Sequence, residues 1–282
     1  MLVIHDKSAI RKLVASWQAQ GQRVGLVPTM GALHAGHISL VRQSRESCDR
    51  TVVTIFVNPT QFGPSEDLAL YPRALQADCA MLEDEGVDAV FAPPEGSMYA
   101  ADHSTWVTVD GLTSGLCGAS RPTHFRGVTT IVSKLFHIIP ADEAFFGQKD
   151  YQQATVIRRM VRDLDLDLRV TVCPIVREPD GLAMSSRNRF LTAEQRQAAL
   201  VLSRALGDVS QMVGEGATPD DCRKFLEHAI GSEPLADLDY AAIVDADTLG
   251  EIRDFSRPAV AALAVRFGAT RLIDNILLPP SG

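Results

Sequence analysis

One stretch near the N-terminus decides the fold, and it reads Val24-Gly25-Leu26-Val27-Pro28-Thr29-Met30-Gly31-Ala32-Leu33-His34-Ala35-Gly36-His37. Its first four residues form a short apolar run, which is typical of a buried strand. Glycines follow, and then an amphipathic stretch over Ile38 to Cys48, which is typical of a loop that leads into a helix. The stretch therefore predicts a strand, a loop and a helix, the unit from which parallel α/β sheets are built.

The same alternation of short apolar runs and amphipathic stretches continues through the first 176 residues. The apolar runs are Val24 to Val27, Thr51 to Val57, Ala89 to Phe91 and Leu168 to Val176, and the amphipathic stretches are Ile38 to Cys48, Leu75 to Glu85 and Thr129 to Ile138. Continuous apolar strands separated by helices predict parallel strands that are covered on both faces. We therefore expect a doubly wound, Rossmann-like α/β sheet whose ligand lies beyond the carboxyl ends of the strands.

A charged turn over Arg177 to Gly181, with its proline and glycine, separates this region from the rest of the chain. Beyond it, the spacing of Thr192 and Gln195 predicts a capped helix that runs to about Met212, and Thr218-Pro219 opens another helix. Strand-like runs then follow at Tyr240 to Val244, Val260 to Val265 and Arg271 to Leu277. The sequence thus predicts a first domain over residues 1–176 and a smaller α+β lid domain over residues 177–282.

Composition excludes several classes of protein. The 282 residues are 46% hydrophobic and 22% charged, as in globular proteins, and the net charge of −8 gives no general attraction for nucleic acid or anionic membrane. The five cysteines include no CxxC pair and are expected to be free thiols. The sequence shows neither a signal peptide nor an apolar run near the ~18 residues of a membrane span, so we expect a cytoplasmic protein without a membrane partner.

The histidines of the opening stretch are candidate phosphate ligands. His34 and His37 are three residues apart, so both rings can lie on one face at a helix N-terminus, where unpaired N–H groups favour an anion. They could donate to phosphate oxygens and stabilise the charge on a leaving pyrophosphate. A zinc pair and a purely structural pair are the alternatives. We favour the phosphate site because glycines, a strand end and a helix start coincide here.

Lys149 and Ser185-Ser186-Arg187 are further candidates for contacts with phosphate. Lys149 follows an apolar run and is a compact cation suited to a phosphate group, and a solvated loop lysine is the alternative. The two hydroxyls and the guanidinium of the second segment match phosphate oxygens, and the segment could equally be a helix cap. The histidines and this segment lie about 150 residues apart, which suggests two walls that close on one triphosphate.

Three amide side chains are candidates for binding a small polar substrate. Asn58 and Gln61 follow the second buried strand, and Gln153 follows Lys149. An amide both donates and accepts, so it could bind a hydroxyl or a carboxylate of the substrate. A role in the core or in a turn is the alternative for Asn58 and Gln61. The chain contains no GxxxxGK[ST], GxGxxG or GxSxG sequence, and these absences disfavour kinases and dehydrogenases.

Several long motifs, in the right order, resemble the pantoate–β-alanine ligase family of the HIGH-motif nucleotidyltransferase superfamily. They are Pro28 to His37, Phe56 to Phe62, Tyr71-Pro72-Arg73, His124 to Val128, Phe146 to Gln153 and Met184 to Asn188. The resemblance covers almost the whole chain. The chain departs from the pattern at Thr123, where the family leads us to expect glycine, and it has Met184-Ser185-Ser186-Arg187 where other members of the superfamily have KMSKS.

The resemblance implies an AMP-forming ligase that condenses (R)-pantoate with β-alanine. Pantoate would attack Mg²⁺-bound ATP to form pantoyl adenylate and pyrophosphate, and β-alanine would then displace AMP to give pantothenate. The family relation also implies a homodimer formed through the N-terminal domain, and it makes the first domain the one that binds both nucleotide and pantoate. An adenylyltransferase for another small acceptor, similar to phosphopantetheine adenylyltransferase, is the first alternative, and a nucleotide-sensing module without turnover is the second.

Site residues are carried over from the family position by position. His34, His37, Lys149 and Arg187 would be catalytic, Gln61 and Gln153 would bind pantoate, Gln61 would also bind β-alanine, and Asp78 would bind the metal ion. The implied ATP ligands are Met30, Gly31, Ala32, Leu33, His34, Ala35, Gly36, His37, Gly147, Gln148, Lys149, Asp150, Val176, Met184, Ser185, Ser186 and Arg187.

Overall fold

The computed structural model describes residues 1–63 and 67–280. Across these residues the chain divides into two compact units. The first comprises Met1–Thr113, Arg121–Gly147 and Gln153–Pro174, and the second comprises Ser114–Ser120, Gln148–Gln152 and Ile175–Gly282. The second unit therefore includes two short segments that lie between segments of the first unit along the chain. The predicted functional division into residues 1–176 and 177–282 stays a prediction.

Helices and strands alternate along the first half of the chain, and the C-terminal strands come last. The helices are α1 (Lys7–Gln18), α2 (Ala35–Ser47), α3 (Leu75–Asp84), α4 (Glu95–Met98), α5 (Cys117–Ser120), α6 (His124–Ile138), α7 (Tyr151–Asp163), α8 (Ala193–Ala199), α9 (Val201–Gly214) and α10 (Pro219–Gly231). The strands are β1 (Leu2–Ile4), β2 (Val24–Thr29), β3 (Arg50–Ile55), β4 (Ala89–Phe91), β5 (Glu143–Gly147), β6 (Arg169–Cys173), β7 (Ala236–Asp245), β8 (Ala259–Phe267) and β9 (Thr270–Leu278).

The first unit is built on a parallel sheet. Among the described residues six strands form it, in the order β1-β4-β3-β2-β5-β6. The chain moves from β2 outward to β3 and β4, and it later returns to the other side of β2 with β5 and β6. The strand order therefore reverses between β2 and β5, the position at which doubly wound sheets bind their ligands. The predicted fold class is confirmed.

Neighbouring residues of one strand pack against different helices. Leu26 and Phe146 belong to an apolar cluster with residues of α1, α6 and α7. Val27 and Phe145 belong to a second cluster with residues of α2 and α3. Because successive strand residues point to opposite faces, helices cover both faces of the sheet. Each fully buried side chain of this size contributes roughly 1.5–3 kcal/mol to folding, which explains why the strands read as continuous apolar runs.

The second unit is an α+β fold. Its described strands form an antiparallel sheet in the order β7-β8-β9. Leu263 and Val265 of β8 pack in one cluster with Leu206 of α9 and Leu226 of α10. The helices therefore cover one face of this sheet. The predicted smaller α+β domain at the C-terminus is confirmed as a fold class.

One predicted helix is interrupted. The capping box of Thr192 and Gln195 is present at the start of α8. At Leu200 the backbone N–H donates to the carbonyl of Gln197, three residues back, and this tight turn separates α8 from α9. The sequence predicts one helix to about Met212 because neither glycine nor proline marks the interruption.

The cysteines within the described residues are free. Cys117, Cys173 and Cys222 are buried, and Cys48 and Cys79 are partly buried. Burial raises the pKa of Cys48 and the pKa of Cys173 to about 11, so both thiols stay protonated at neutral pH. Over residues 1–63 and 67–280, every helix is too short or too polar to span a bilayer.

Candidate active site

Loops that leave three adjacent strands carry the candidate residues of the first unit. The loop Met30 to His37 follows β2, Asn58 and Gln61 follow β3, and Gly147 ends β5. In the sheet, β2 lies between β3 and β5, and all three strands are parallel. Their carboxyl ends therefore share one edge, and the structure brings these predicted site residues together there.

A buried carboxylate holds the turn at Gly31-Ala32. Both residues have positive φ, 79° and 52°, and a Cβ on Gly31 would lie 2.9 Å from Oδ2 of Asp78. The Asp78 side chain, which is 3% exposed, accepts the N–H of Ala32 at 2.9 Å and the N–H of Leu33 at 2.8 Å. A left-handed alanine costs roughly 1–2 kcal/mol, and hydrogen bonds to a charged group contribute about 1.5–3 kcal/mol each. The bonds to Asp78 therefore outweigh the strain of the turn.

The start of α2 fixes the two histidine rings. Nδ1 of His34 accepts the N–H of Gly36 at 3.1 Å, and Nδ1 of His37 accepts the N–H of His34 at 3.4 Å. A backbone N–H only donates, so each Nδ1 is an acceptor and the proton of each neutral ring lies on Nε2. The ring centroids are 4.1 Å apart. The predicted pair is thus brought together with its donors on Nε2, although His34 caps the helix instead of lying within it.

A chain of hydrogen bonds orients the amide of Gln61. Nδ2 of Asn58 donates to Oε1 of Gln61 at 3.1 Å and to the carbonyl of Gly127 at 3.1 Å. Tyr99 donates its hydroxyl to Oδ1 of Asn58 at 2.8 Å, and burial raises the pKa of Tyr99, which keeps this donor protonated. Because Oε1 of Gln61 is the acceptor, its Nε2 faces Sδ of Met30 at 3.0 Å. The NH₂ end of Gln61 therefore points to the segment Met30 to His37, which carries the two histidines.

The loop after β3 packs directly on the first turn of α6. Nδ1 of His124 donates to the carbonyl oxygen of Gln61 over 2.9 Å. A Cβ on Gly127 would lie 2.3 Å from the carbonyl oxygen of Thr60, so only glycine permits this approach. Thr123, which departs from the family pattern, has φ −98°. Any residue adopts that angle, and threonine therefore fits here without backbone strain.

The turn that follows β5 belongs to the second unit. Gln148–Asp150 forms a single 3₁₀ turn ahead of α7, and the ammonium of Lys149 lies 3.5 Å from the carboxylate of Asp150. Gln153, in the first turn of α7, is partly buried and belongs to the first unit. The candidate residues of this short segment are therefore divided between the two units.

Val176 and Met184 are joined by a hairpin-like turn. The N–H of Met184 donates to the carbonyl of Val176 at 2.9 Å, beside the antiparallel bridge of Arg177 with Ala183. Ser185 then caps the 3₁₀ turn Ser186–Phe190, since its Oγ accepts the N–H of Arg187 at 3.2 Å. The structure thus brings the predicted ATP ligands of this segment together, and Ser185 has the capping role that the sequence left as an alternative.

Partly exposed ion pairs support this turn. Nη2 of Arg196 lies 2.8 Å from Glu178 and 2.6 Å from Asp180, and Nδ2 of Asn188 donates to Glu178 at 2.8 Å. The side chains of Arg196, Glu178 and Asp180 are 27% to 32% exposed. Pairs of this kind contribute about 0–1 kcal/mol each. Several weak contacts therefore hold the Ser185 segment.

Tyr99, Arg177 and Asp274 are among the residues that support the site and are absent from the sequence-based prediction. Tyr99 orients Asn58. Arg177 makes two hydrogen bonds with the buried carboxylate of Asp274, at 2.7 and 3.0 Å. The sequence does mark Asp274, because a carboxylate within the strand-like run Arg271 to Leu277 would be buried and would need a partner. Nothing comparable marks Tyr99.

Comparisons with known proteins agree along nearly the whole chain. The family model described as pantoate-beta-alanine ligase matches residues 2–277. The pantothenate synthetase of Acidobacterium capsulatum is 57% identical over 258 residues, which cover 90% of this chain and 86% of that protein.

Solved structures give the same relation. The pantothenate synthetase of Thermus thermophilus aligns with a TM-score of 0.94 at 43% identity, covering 99% of this chain and 100% of that one. The pantoate-beta-alanine ligase of Francisella tularensis, complexed with "Beta-gamma ATP" and β-alanine, aligns with a TM-score of 0.79 at 32% identity over 100% of both chains. The chain therefore belongs to the pantoate-beta-alanine ligase family.

Proposed function

We propose that this chain condenses pantoate with β-alanine, at the expense of ATP, to give pantothenate, AMP and pyrophosphate through a pantoyl adenylate. Membership of the family supports the ligase activity, and the Francisella tularensis complex supports ATP and β-alanine as substrates. The observation in this chain that carries the proposal is the pair His34 and His37. Their Nε2–H donors lie at the end of β2, beside the reversal of strand order where a nucleotide is expected.

In the first step a carboxylate oxygen of pantoate attacks the α-phosphorus of ATP. The bond to the bridging oxygen breaks, and pyrophosphate leaves with its electron pair. Such a displacement needs in-line positioning and stabilisation of charge more than a protein nucleophile. His34 and His37 donate from Nε2 to phosphate oxygens, and His37 stabilises the pyrophosphate as it leaves. The N-terminal end of α2 adds its positive dipole.

Further residues of the chain are also proposed to bind ATP. Lys149 and Arg187 supply the cationic contacts that stabilise the departing phosphates. The hydroxyls of Ser185 and Ser186 donate to phosphate oxygens. Ser185 remains able to donate, because its cap uses Oγ only as the acceptor of the Arg187 N–H. The full set of proposed ligands is Met30 to His37, Gly147 to Asp150, Val176 and Met184 to Arg187.

In the second step the amine of β-alanine attacks the acyl carbon of pantoyl adenylate. AMP leaves, and the amide bond of pantothenate forms as the amine loses a proton. Gln61 and Gln153 are proposed to bind the pantoyl group, and Gln61 also contacts β-alanine. The orientation of Gln61 supports this role, because its Nε2 end is a donor and the carboxylate and hydroxyl oxygens of these substrates accept.

Mg²⁺ is proposed to enter as part of the Mg–ATP substrate. Within residues 1–63 and 67–280, no three His, Cys, Asp or Glu side chains are grouped so that they could hold a metal ion. Mg²⁺ is commonly bound by substrate phosphates and water with one or two carboxylates. Asp78 stays the carboxylate proposed for this contact. Each of its oxygens already accepts a backbone N–H and has a second lone pair to offer.

A homodimer formed through the first unit and a cytoplasmic location complete the proposal. Both rest on the family relation. Light scattering of the purified chain tests the dimer, for which we expect twice the mass of 30.6 kDa. Fractionation of cells that express the chain tests the location.

The function is tested by pantoate-dependent exchange of pyrophosphate into ATP, followed by amide formation on addition of β-alanine. We expect both reactions with pantoate and neither with phosphopantetheine. Exchange with phosphopantetheine alone would favour the adenylyltransferase, which the family match disfavours. Tight ATP binding without exchange would favour the sensor.

A further inference from the structure

Strand β9 carries two neighbouring polar side chains inside its apolar stretch Leu272 to Leu278. Asp274 and Asn275 are 2% and 3% exposed, and they pair with Leu263 and Ala262 of β8. A buried carboxylate and a buried amide destabilise a fold unless partners satisfy them. Their partners therefore show what these two residues do.

Asn275 holds the Lys149 turn by its backbone. Nδ2 of Asn275 donates to the carbonyl oxygens of Gln148 at 2.9 Å and Lys149 at 3.0 Å. Its Oδ1 accepts Nε2 of Gln148 at 3.3 Å. The two carbonyls can only accept, so they require the NH₂ end of the amide to face them. Both N–H groups of the Asn275 amide therefore donate to the backbone of the turn Gln148–Asp150.

Asp274 holds the other loop of the second unit. Its two carboxylate oxygens bind the guanidinium of Arg177 at 2.7 and 3.0 Å, and Arg177 also donates to the carbonyl of Gly181 at 3.1 Å. Arg177 lies next to Val176 in the turn that ends at Met184. Because adjacent strand residues point to opposite faces, one dipeptide of β9 reaches two different segments.

We propose that Asn275 is a positioning residue for the phosphate chemistry, since it fixes the backbone from which Lys149 reaches ATP, while Asp274 fixes the Val176–Met184 turn. The inference rests on the proposed role of Lys149. A single 3₁₀ turn has few hydrogen bonds of its own, so its place depends on an outside anchor. A shift of about 1 Å in a catalytic cation can cost about 100-fold in rate, which makes the anchor matter for catalysis.

The variant Asn275→Asp keeps the size of the side chain and turns the donor end into a carboxylate oxygen that faces two carbonyls. We expect the maximal rate of pantoate-dependent ATP–pyrophosphate exchange to fall about 10- to 100-fold, with KM for pantoate within about twofold of the parent. Leu277→Ala is the matched control, because Leu277 lies two residues on along the same face of β9 and is 44% exposed. It should leave the exchange rate unchanged.

A double-mutant cycle separates positioning of Lys149 from a general loss of structure. In a Lys149→Ala background, Asn275→Asp should change the exchange rate by less than about twofold, because the group that Asn275 positions is gone. An equal loss in both backgrounds would overturn the proposal.

Amide hydrogen exchange gives a readout that does not depend on activity. In Asn275→Asp we expect faster exchange at Gln148–Gln152 and unchanged protection over Ala259–Phe267 of β8. Unchanged exchange at Gln148–Gln152 would overturn the proposal. If the parent chain shows no pantoate-dependent reaction, the proposed function fails while this measurement still tests the anchor. Asn275→Ser, which keeps one donor, replaces Asn275→Asp if that variant does not fold.

Discussion

The two loops that we propose for ATP are held by different means. The loop Met30 to His37 is fixed by the buried carboxylate of Asp78 and by the capping of α2. The segment that contains Arg187 is supported by partly exposed pairs between Arg196 and Glu178. A buried hydrogen bond to a charge contributes about 1.5–3 kcal/mol, whereas an exposed ion pair contributes about 0–1 kcal/mol. The turn that carries Glu178 is also held by the buried carboxylate of Asp274 through Arg177. The shape of the first loop is therefore part of its core, and the shape of the second depends in part on contacts that salt weakens.

The largest effect is expected at the first loop. His37→Ala removes an Nε2–H donor from the leaving pyrophosphate, and we expect the adenylation rate to fall by about 10²–10³-fold. The fold should stay intact, because the hydrogen bond that Nδ1 of His37 accepts at the start of α2 is long, at 3.4 Å. Pantoate-dependent exchange and circular dichroism measure the two quantities. A near-normal exchange rate would remove His37 from the mechanism.

Next in size is the replacement of the buried anchor by Asp78→Asn. The amide can accept one of the two backbone N–H groups, but its NH₂ end then faces the other donor. We expect a loss of about 1–3 kcal/mol in the free energy of unfolding of the first unit and an exchange rate about 10- to 100-fold lower. Asp84→Asn, on the exposed end of the same helix, is the control and should change neither quantity. Parent-like stability in Asp78→Asn would show that the buried carboxylate is not the anchor.

A smaller effect is expected at the second loop. Arg196→Gln removes the pairs with Glu178 and Asp180, and it should cost less than about 1 kcal/mol of stability. KM for ATP should rise by a few-fold. High salt should raise KM for ATP in the parent, because it weakens these ion pairs, and should raise it less in the variant. Arg204→Gln, at an exposed position on α9, is the matched control. A loss as large as that of Asp78→Asn would contradict the contrast between the loops.

The smallest effect is a change in cleavage. Saturating ATP should slow tryptic cleavage after Arg187 severalfold, because a bound ligand stabilises the folded conformation of the segment that contacts it. Cleavage after Arg253, an exposed residue of the second unit, should not change. Time courses on gels measure both rates. Equal cleavage with and without ATP would show that this segment does not respond to the nucleotide.

The strands and helices of the first unit were predictable because their signals are local. The run Val24 to Val27 and the run Ala89 to Phe91 both lie within observed strands, since burial on both faces requires continuous apolar residues. The end of α8 at Ala199 was not predictable, because a tight turn without glycine or proline leaves no trace in composition.

The sequence allowed us to predict which residues form the candidate site, but not which residues hold them in place. His34, His37 and Lys149 stand out as residue types that bind phosphate and by their place after a strand. By contrast, Asp78 contacts Ala32 across 46 residues and Asn275 contacts Lys149 across 126 residues. Contacts over such separations depend on the finished fold, and no local pattern encodes them. A polar pair inside an apolar strand is the nearest signal that the sequence offers for Asn275.

The division of the chain into two units, with segments that alternate along the sequence, has a consequence for protein engineering. Residues 114–120 and 148–152 belong to the second unit although they lie between segments of the first. A fragment over residues 177–282 would therefore lack the turn that Asn275 binds and would leave its amide without those acceptors. In chimeras of relatives, we expect side-chain contacts such as Gln148 with Asn275 and Ser120 with Asp239 to be kept when both short segments come from the same parent as the C-terminal part.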